Sequence, residues 1–388
     1  MLAHFLMVGG LWHTSCIWPA RPPHRVSATV RLPEVNSSTH MIRAVKQTAL
    51  STMKTAGVFA VAGRSRWRSG RLLILGYHGI AQEDEHHWSP SLFMTPSLFE
   101  LRLRFFRSAG FNILPLGDAL ERLRSGTLPE RSVVITFDDG YVDFYRLAHP
   151  ILKRYNAAAT VYLTTYYSER NLPVPGITAA YMVWMSRSFV GRLTSVPGYD
   201  HVNLQDDTER RAVSDEIGRY FAHTRAIPPA QKHELLERLA AELGFDLSAF
   251  RARRLMHVMS TEEAREIAAA GVDIQLHTHR HWVPKDEHLI RREISDNRER
   301  IEAITGRAAD HFCYPSGVHY PELLPWLRTL NVKSATTCVL GLASSTQDPL
   351  LHPRFLDHSR VSQVEFEAWA TGIASVLPHR SAYEVVAR

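Results

Sequence analysis

From residue 72 onward the chain alternates short apolar runs with amphipathic stretches, and few architectures accept that order. The runs at 72–75, 112–114, 133–137, 160–163, 272–276, around Phe312 and at 334–339 read as strands. Between them, 97–108, 116–123, 144–155, 287–304 and 323–330 have the spacing of helices with one apolar face. Ser260 and Glu263 supply the two halves of a capping box for a further helix that stops at Gly271. A strand that returns to its sheet through a helix arrives parallel to the one it left. The order therefore predicts an α/β fold on a parallel sheet, open or closed into a barrel.

Two stretches stand outside this rhythm. Residues 166–256 are too long for a loop within a compact domain and contain two charged amphipathic segments, 207–221 and 230–243. They read as a helical insertion that forms a lid or a partner surface. Residues 1–71 read as a basic extension, disordered or partly helical. The formal charge of +6 invites a nucleic-acid partner, but ten Lys and Arg against Glu34 alone lie in the first 72 residues, and the remainder is net acidic. No nucleic acid is expected. Ile42, Val45, Leu50, Val58 and Val61 are loosely helical with Lys46 and Lys54 between them, a pattern that suits docking on the domain or peripheral contact with an anionic membrane. The opening twenty residues lack a basic start, and His4 and His13 break their apolar run, so a cytoplasmic or inner-membrane-associated protein is expected. Cys16, Cys313 and Cys338 are far apart and odd in number, which argues for free thiols.

Chemistry concentrates in two places. The apolar run 133–137 leads straight into Asp138, Asp139 and Gly140, which puts two carboxylates at the carboxyl end of a strand, where α/β folds build their sites. The run 272–276 leads likewise into His277, Thr278, His279, Arg280 and His281. Two imidazoles four residues apart can converge on one ion, and one Asp with two His leaves a position open for water. The second Asp is then free to act as a base.

These segments, ITFDDGY and HTHRH, followed by Cys313-Tyr314-Pro315-Ser316-Gly317, resemble the polysaccharide deacetylases with a NodB homology domain, carbohydrate esterase family four. The resemblance covers about 72–360 outside the insertion and implies a distorted, incomplete (β/α) barrel within a domain of 72–388. It implies Asp138 as general base, Asp139, His277 and His281 as ligands of a divalent metal, zinc, and removal of N-acetyl groups from amino sugars of a glycan. In a permuted branch of the family the acid histidine sits early, which points to His78 in Gly76-Tyr77-His78-Gly79-Ile80. The late alternative is His352; His78 is expected because it follows a strand. The third segment departs from the family pattern. Cys313 stands where an arginine orients the base, and Arg354 is expected to replace it; Tyr314 and the Ser316 backbone are expected at the substrate and oxyanion. Trp88, Tyr141, Tyr314 and Trp282 are candidates for stacking on sugars, and His86 and His87 for a solvated loop. Because of the altered third segment, a weak or silent glycan-binding protein and a related amide or ester hydrolase remain as alternatives.

Overall fold

The computed structural model describes residues 37–224 and 227–377. Eight parallel strands follow in chain order: β1 (Leu73–Tyr77), β2 (Asn112–Ile113), β3 (Ser132–Phe137), β4 (Thr160–Leu163), β5 (Asp273–Leu276), β6 (His311–Cys313), β7 (Ser334–Leu340) and β8 (His352–Leu356). β2 only borders the start of β3. The other seven close a barrel, because β1 pairs with β3 from Leu73↔Val133 to Tyr77↔Phe137 and with β8 at Leu75↔Phe355.

Strand alternation explains both the buried runs and the position of the acids. Val133, Ile135 and Phe137 pack outward with Phe99, Leu103, Phe106 and Ile151 from the surrounding helices. Val134 joins Ile74 and Tyr162 in a separate cluster inside the barrel. With a period of two, Thr136 and Asp138 continue the inward row. Both faces of the strand are covered, hence the unbroken apolar sequence.

The described part of the basic extension is helical: α1 (Ser37–Thr55), α2 (Val58–Gly63) and α3 (Arg66–Ser69). Leu50 and Phe59 enter the main core. Arg68 is buried and donates from Nε to the Ala370 carbonyl at 2.9 Å and from Nη2 to the Ser132 carbonyl at 3.1 Å. Lys46 and Lys54 pair with Glu365 and Glu367 at 2.5 and 2.6 Å, so part of the basic charge is answered by the domain itself. Among the described residues, no helix is long and apolar enough to cross a membrane.

The insertion has its own core and is not purely helical. Helices α4 (Pro175–Met185) and α5 (Asp207–His223) are joined by an antiparallel hairpin of Val190–Leu193 with Tyr199–Asn203, and α6 (Pro229–Leu243) and a short helix, Leu247–Arg253, follow. Met182, Val202, Ile217, Leu236 and Phe250 are buried together. α4 and α5 approach closely because Gly218 has no side chain; a Cβ there would lie 2.9 Å from the Ala180 Cβ. Tyr181 Oη to Asp84 at 2.7 Å and Arg253 to Glu83 at 2.6 Å tie the unit to the barrel. Elsewhere the helix expected over 144–155 is a π-helical turn, Phe144–Ala148, followed by an α-helix, His149–Arg154. Pro150 sits at the start of the second piece and has no N–H to donate to the first. His86 and His87 lie on a short helix, Glu85–Trp88, rather than in a loop.

Candidate active site

Asp138 is 3% exposed, and its N–H donates to the Tyr77 carbonyl at 2.8 Å, which carries the β3 direction one residue past the strand. The chain then turns sharply. Asp139 has φ 67° and Gly140 φ 79°, both left-handed. At Gly140 a Cβ would lie 2.4 Å from Leu163 Cδ1, so the turn requires glycine. The Asp139 carbonyl is held by Thr164 Oγ1 at 2.9 Å. Adjacent residues of a strand point apart, and this turn brings the second carboxylate back to the same mouth as the first.

Both histidine rings meet Asp139. His277 Nε2 and His281 Nε2 each lie 3.1 Å from Asp139 Oδ1. His277, at the end of β5, is fully buried, and its Nδ1 lies 2.8 Å from the Cys313 carbonyl. A carbonyl can only accept, so Nδ1 donates to it, and the ring is fixed with Nε2 turned toward Asp139. The backbone of His277 is fixed as well: its N–H donates to Asn297 Oδ1 at 2.8 Å, and Asn297 Nδ2 donates to the Leu163 carbonyl at 2.9 Å and to Thr165 Oγ1 at 3.0 Å. His281 reaches the site through two left-handed residues, Thr278 at φ 60° and itself at φ 56°. Burial pushes the Asp139 carboxyl up, but the two histidines outweigh it and hold the carboxyl well below its ordinary range. Burial lowers His281, and Asp139 more than reverses that.

One carboxylate oxygen and two imidazole nitrogens within 4.8 Å of one another form a donor set suited to a divalent ion. The fixed orientation of the His277 ring and the ionised Asp139 fit that use. His279 belongs elsewhere. Its Nδ1 meets Thr165 Oγ1 at 2.9 Å, and burial pushes its pKa down to about 3.

Arg354, inside the barrel on β8, is fully buried and grips Asp138 with both arms, Nη1 to Oδ1 at 2.7 Å and Nη2 to Oδ2 at 2.8 Å. The Thr337 carbonyl and Thr136 Oγ1 hold the guanidinium from the sides at 3.0 and 3.2 Å. Cys313 Sγ lies 3.2 Å from Arg354 Nη2, so the small residue at the end of β6 leaves room for an arginine arriving from another strand. Burial drives the Asp138 carboxyl up, and Arg354 overrides it, leaving Asp138 below its ordinary value. Burial also pushes the Cys313 thiol well up, which keeps it neutral and unreactive. His78 Nε2 lies 3.8 Å from Asp138 Oδ2. His352 is at the first residue of β8, the opposite end of the barrel from the acids, and is buried near His311.

Asp138, Asp139, His78, His277 and His281 share one cleft of about 620 Å³ with Ser316, Tyr141 and Trp282. Ser316 is exposed on the left-handed turn Pro315–Gly317 with φ 55°. Three of the four aromatic candidates are not available to stack on a sugar. Tyr141 is 3% exposed and hydrogen-bonds Asp139. The Tyr314 ring is 1% exposed and its hydroxyl donates to the Leu350 carbonyl at 2.9 Å, so it supports the cleft wall. Trp88 packs on Tyr181 and donates to Ser214 Oγ at 3.3 Å, serving the insertion. Asn297 had no signal in the sequence, where it is one polar residue on a charged helix.

A parallel barrel with an Asp-His-His cluster and an arginine-held carboxylate at its mouth defines a barrel protein with a candidate metal centre. The profile of the polysaccharide deacetylase family matches residues 125–335, more than half of the chain, and the chain belongs to that family. It is 36% identical over 79 residues to the poly-beta-1,6-N-acetyl-D-glucosamine N-deacetylase of Staphylococcus aureus (strain MSSA476), 20% of this chain and 27% of that protein. The chain matches no more than about a third of the length of the curated relatives. Among solved structures, the deacetylase PplD of Streptococcus pyogenes superposes with TM-score 0.51 at 19% identity, over 79% of this chain and 99% of that one. IcaB from Ammonifex degensii gives TM-score 0.50 at 17% identity, over 78% of this chain and 97% of that one. At such identities the likeness speaks for the barrel fold alone.

Proposed function

We propose that this protein is a metal-dependent N-deacetylase that hydrolyses the N-acetyl group of amino sugars in a bacterial-type glycan or its precursor. The observation that carries the reading is the separation of two carboxylates by environment. Asp139 meets two histidines, while Asp138 meets an arginine and stays ionised without joining the metal set. Neighbouring acids with different partners take different roles.

Asp139, His277 and His281 would hold the ion, zinc by their donor types. When bound, it supplies Lewis-acid polarisation of a carbonyl and acidifies water at that spot. The protein's own groups do the rest. Asp138, oriented by Arg354, accepts the proton of the attacking water. The Ser316 backbone N–H, at the exposed turn, donates to the carbonyl oxygen as charge develops on it. His78 delivers a proton to the departing nitrogen, the C–N bond breaks, and acetate and a free amine leave. Tyr141 lies in the wall beside Asp139, and Trp282 lies in the same cleft as a platform for a sugar face. The S. aureus relative is named for β-1,6-linked N-acetylglucosamine, which makes β-linked N-acetylglucosamine the first substrate to try. The test is acetate release from a panel of N-acetylated oligosaccharides after chelation, with and without added Zn²⁺. Release that depends on added metal is expected; no release from any of them would refute the reading.

A further inference from the structure

The cleft has two unlike halves. Its floor carries Asp138, Asp139, His78, His277 and His281, while the side built by the insertion is apolar. Val174, Pro175 and Ile177 at the start of α4 and Phe221 near the end of α5 form that flank, and Leu92 and Val318 enter the same cleft from the barrel side. Val174, Ile177, Leu92 and Val318 are only partly buried, so they present apolar surface to whatever enters. From the α5 and α6 side, Thr224 and Lys232 are the polar exceptions. The Lys232 ammonium donates to the Ala222 carbonyl at 3.4 Å, where it serves the carboxyl end of α5.

Sugar hydroxyls need donors and acceptors, and covering them with aliphatic side chains leaves them unpaired. The aliphatic side chains also lack the ring faces on which sugars stack, and Phe221, at 1% exposure, presents no open ring face to the cleft. A neighbouring sugar of a polar chain is therefore poorly served by this flank, whereas a hydrocarbon gains by covering it. The flank opens into the same cavity as Asp138 and Asp139, so its occupant must be attached to the group whose amide reaches them. Resting on the N-deacetylase reading above, we propose that the substrate is an N-acetylated amino sugar bearing an apolar aglycone, a lipid-linked sugar rather than the interior of a long polysaccharide.

The test uses the full chain loaded with zinc and n-alkyl β-glycosides of N-acetylglucosamine, methyl through octyl, each below its micelle concentration. Affinity is read by calorimetry and turnover by acetate release. Affinity is expected to rise with chain length, by up to roughly fourfold per buried methylene, until the flank is covered. Ile177→Ser and, from the barrel side, Val318→Ser are each expected to flatten the series, with unfolding temperature recorded for both. Equal affinity for the methyl and octyl glycosides overturns the proposal, as does tighter binding of N-acetylglucosamine oligomers than of the octyl glycoside. A rising affinity series without acetate release supports the apolar flank and refutes the deacetylase reading.

Discussion

Replacing Arg354 with methionine removes one charge from the inside of the barrel and leaves Asp138 buried without its main partner. The guanidinium is fully buried and makes two of its contacts, at 2.7 and 2.8 Å, to the two oxygens of Asp138. Burial alone raises a carboxyl, and Arg354 is the leading opposing influence here, so its loss sends the Asp138 pKa upward. An opposite charge at this range holds a carboxylate down, so the acid limb of the pH–rate profile should move up in the variant. A positioned base contributes about 10²–10⁴-fold, so kcat/KM at neutral pH should fall by about 10²–10³-fold in Arg354→Met. Arg354→Lys keeps charge but not the two-armed grip, and should shift the limb less while still losing rate. Stability changes too. A carboxyl lowered in the folded state adds stability above its unfolded pKa, and that stability is lost as pH falls through the folded value. Arg354→Met should lose this contribution and, as a broken buried pair, unfold about 3–5 kcal/mol more easily at neutral pH. Acetate release from the acidic through the neutral range and denaturant titration read both effects. A wild-type rate with an unmoved acid limb would refute the assignment of Arg354 as the group that keeps Asp138 ionised.

Four further substitutions separate roles that lie close together. Asn297→Ala removes the acceptor of the His277 N–H and should weaken metal affinity by about 10–100-fold in chelator competition; unchanged affinity would show that His277 needs no such support. His78→Gln should reduce turnover by about 10²–10⁴-fold with metal content intact, whereas His352→Ala, at the far end of β8, should leave turnover near wild type. The reverse pattern would move the acid to His352. Arg102→Met breaks a fully buried pair with Asp357, 3.0 Å apart, and should lower unfolding stability by about 3–5 kcal/mol; a change within error would mean that Asp357 finds another partner.

The barrel was readable because both faces of its strands are buried: β3 is apolar except for Ser132 and Thr136, β5 keeps Ile274 and Leu276 between Asp273 and Gln275, and both lead into the polar residues of the site. The capping box at Ser260 and Glu263 is present as its spacing suggested. β8 was not foreseen as a strand. His352, Pro353 and Arg354 interrupt its apolar character, yet each is buried, because a strand that lines the site carries polar side chains inward. The same strand supplies the partner of Asp138, which local sequence could suggest only through the missing arginine at Cys313. The hairpin and α4 in the insertion were missed for another reason. α4 is apolar all round, so it has no helical stripe to detect, and that apolarity gives the insertion its core and the cleft its flank. Tyr314 and Trp88 show the converse: an aromatic residue beside a motif is more often claimed by packing than left open to a ligand.

In the proposed mechanism one acid of the pair works on protons while its neighbour holds metal. The direct measurement is Asp138→Asn, with bound zinc and acetate release determined on the same preparation, since the amide keeps the shape of the side chain and loses the charge. Zinc content equal to that of the native protein together with acetate release reduced by at least about 10²-fold is the expected result. Acetate release at the native rate, or loss of the zinc with the activity, would contradict the division of labour between Asp138 and Asp139.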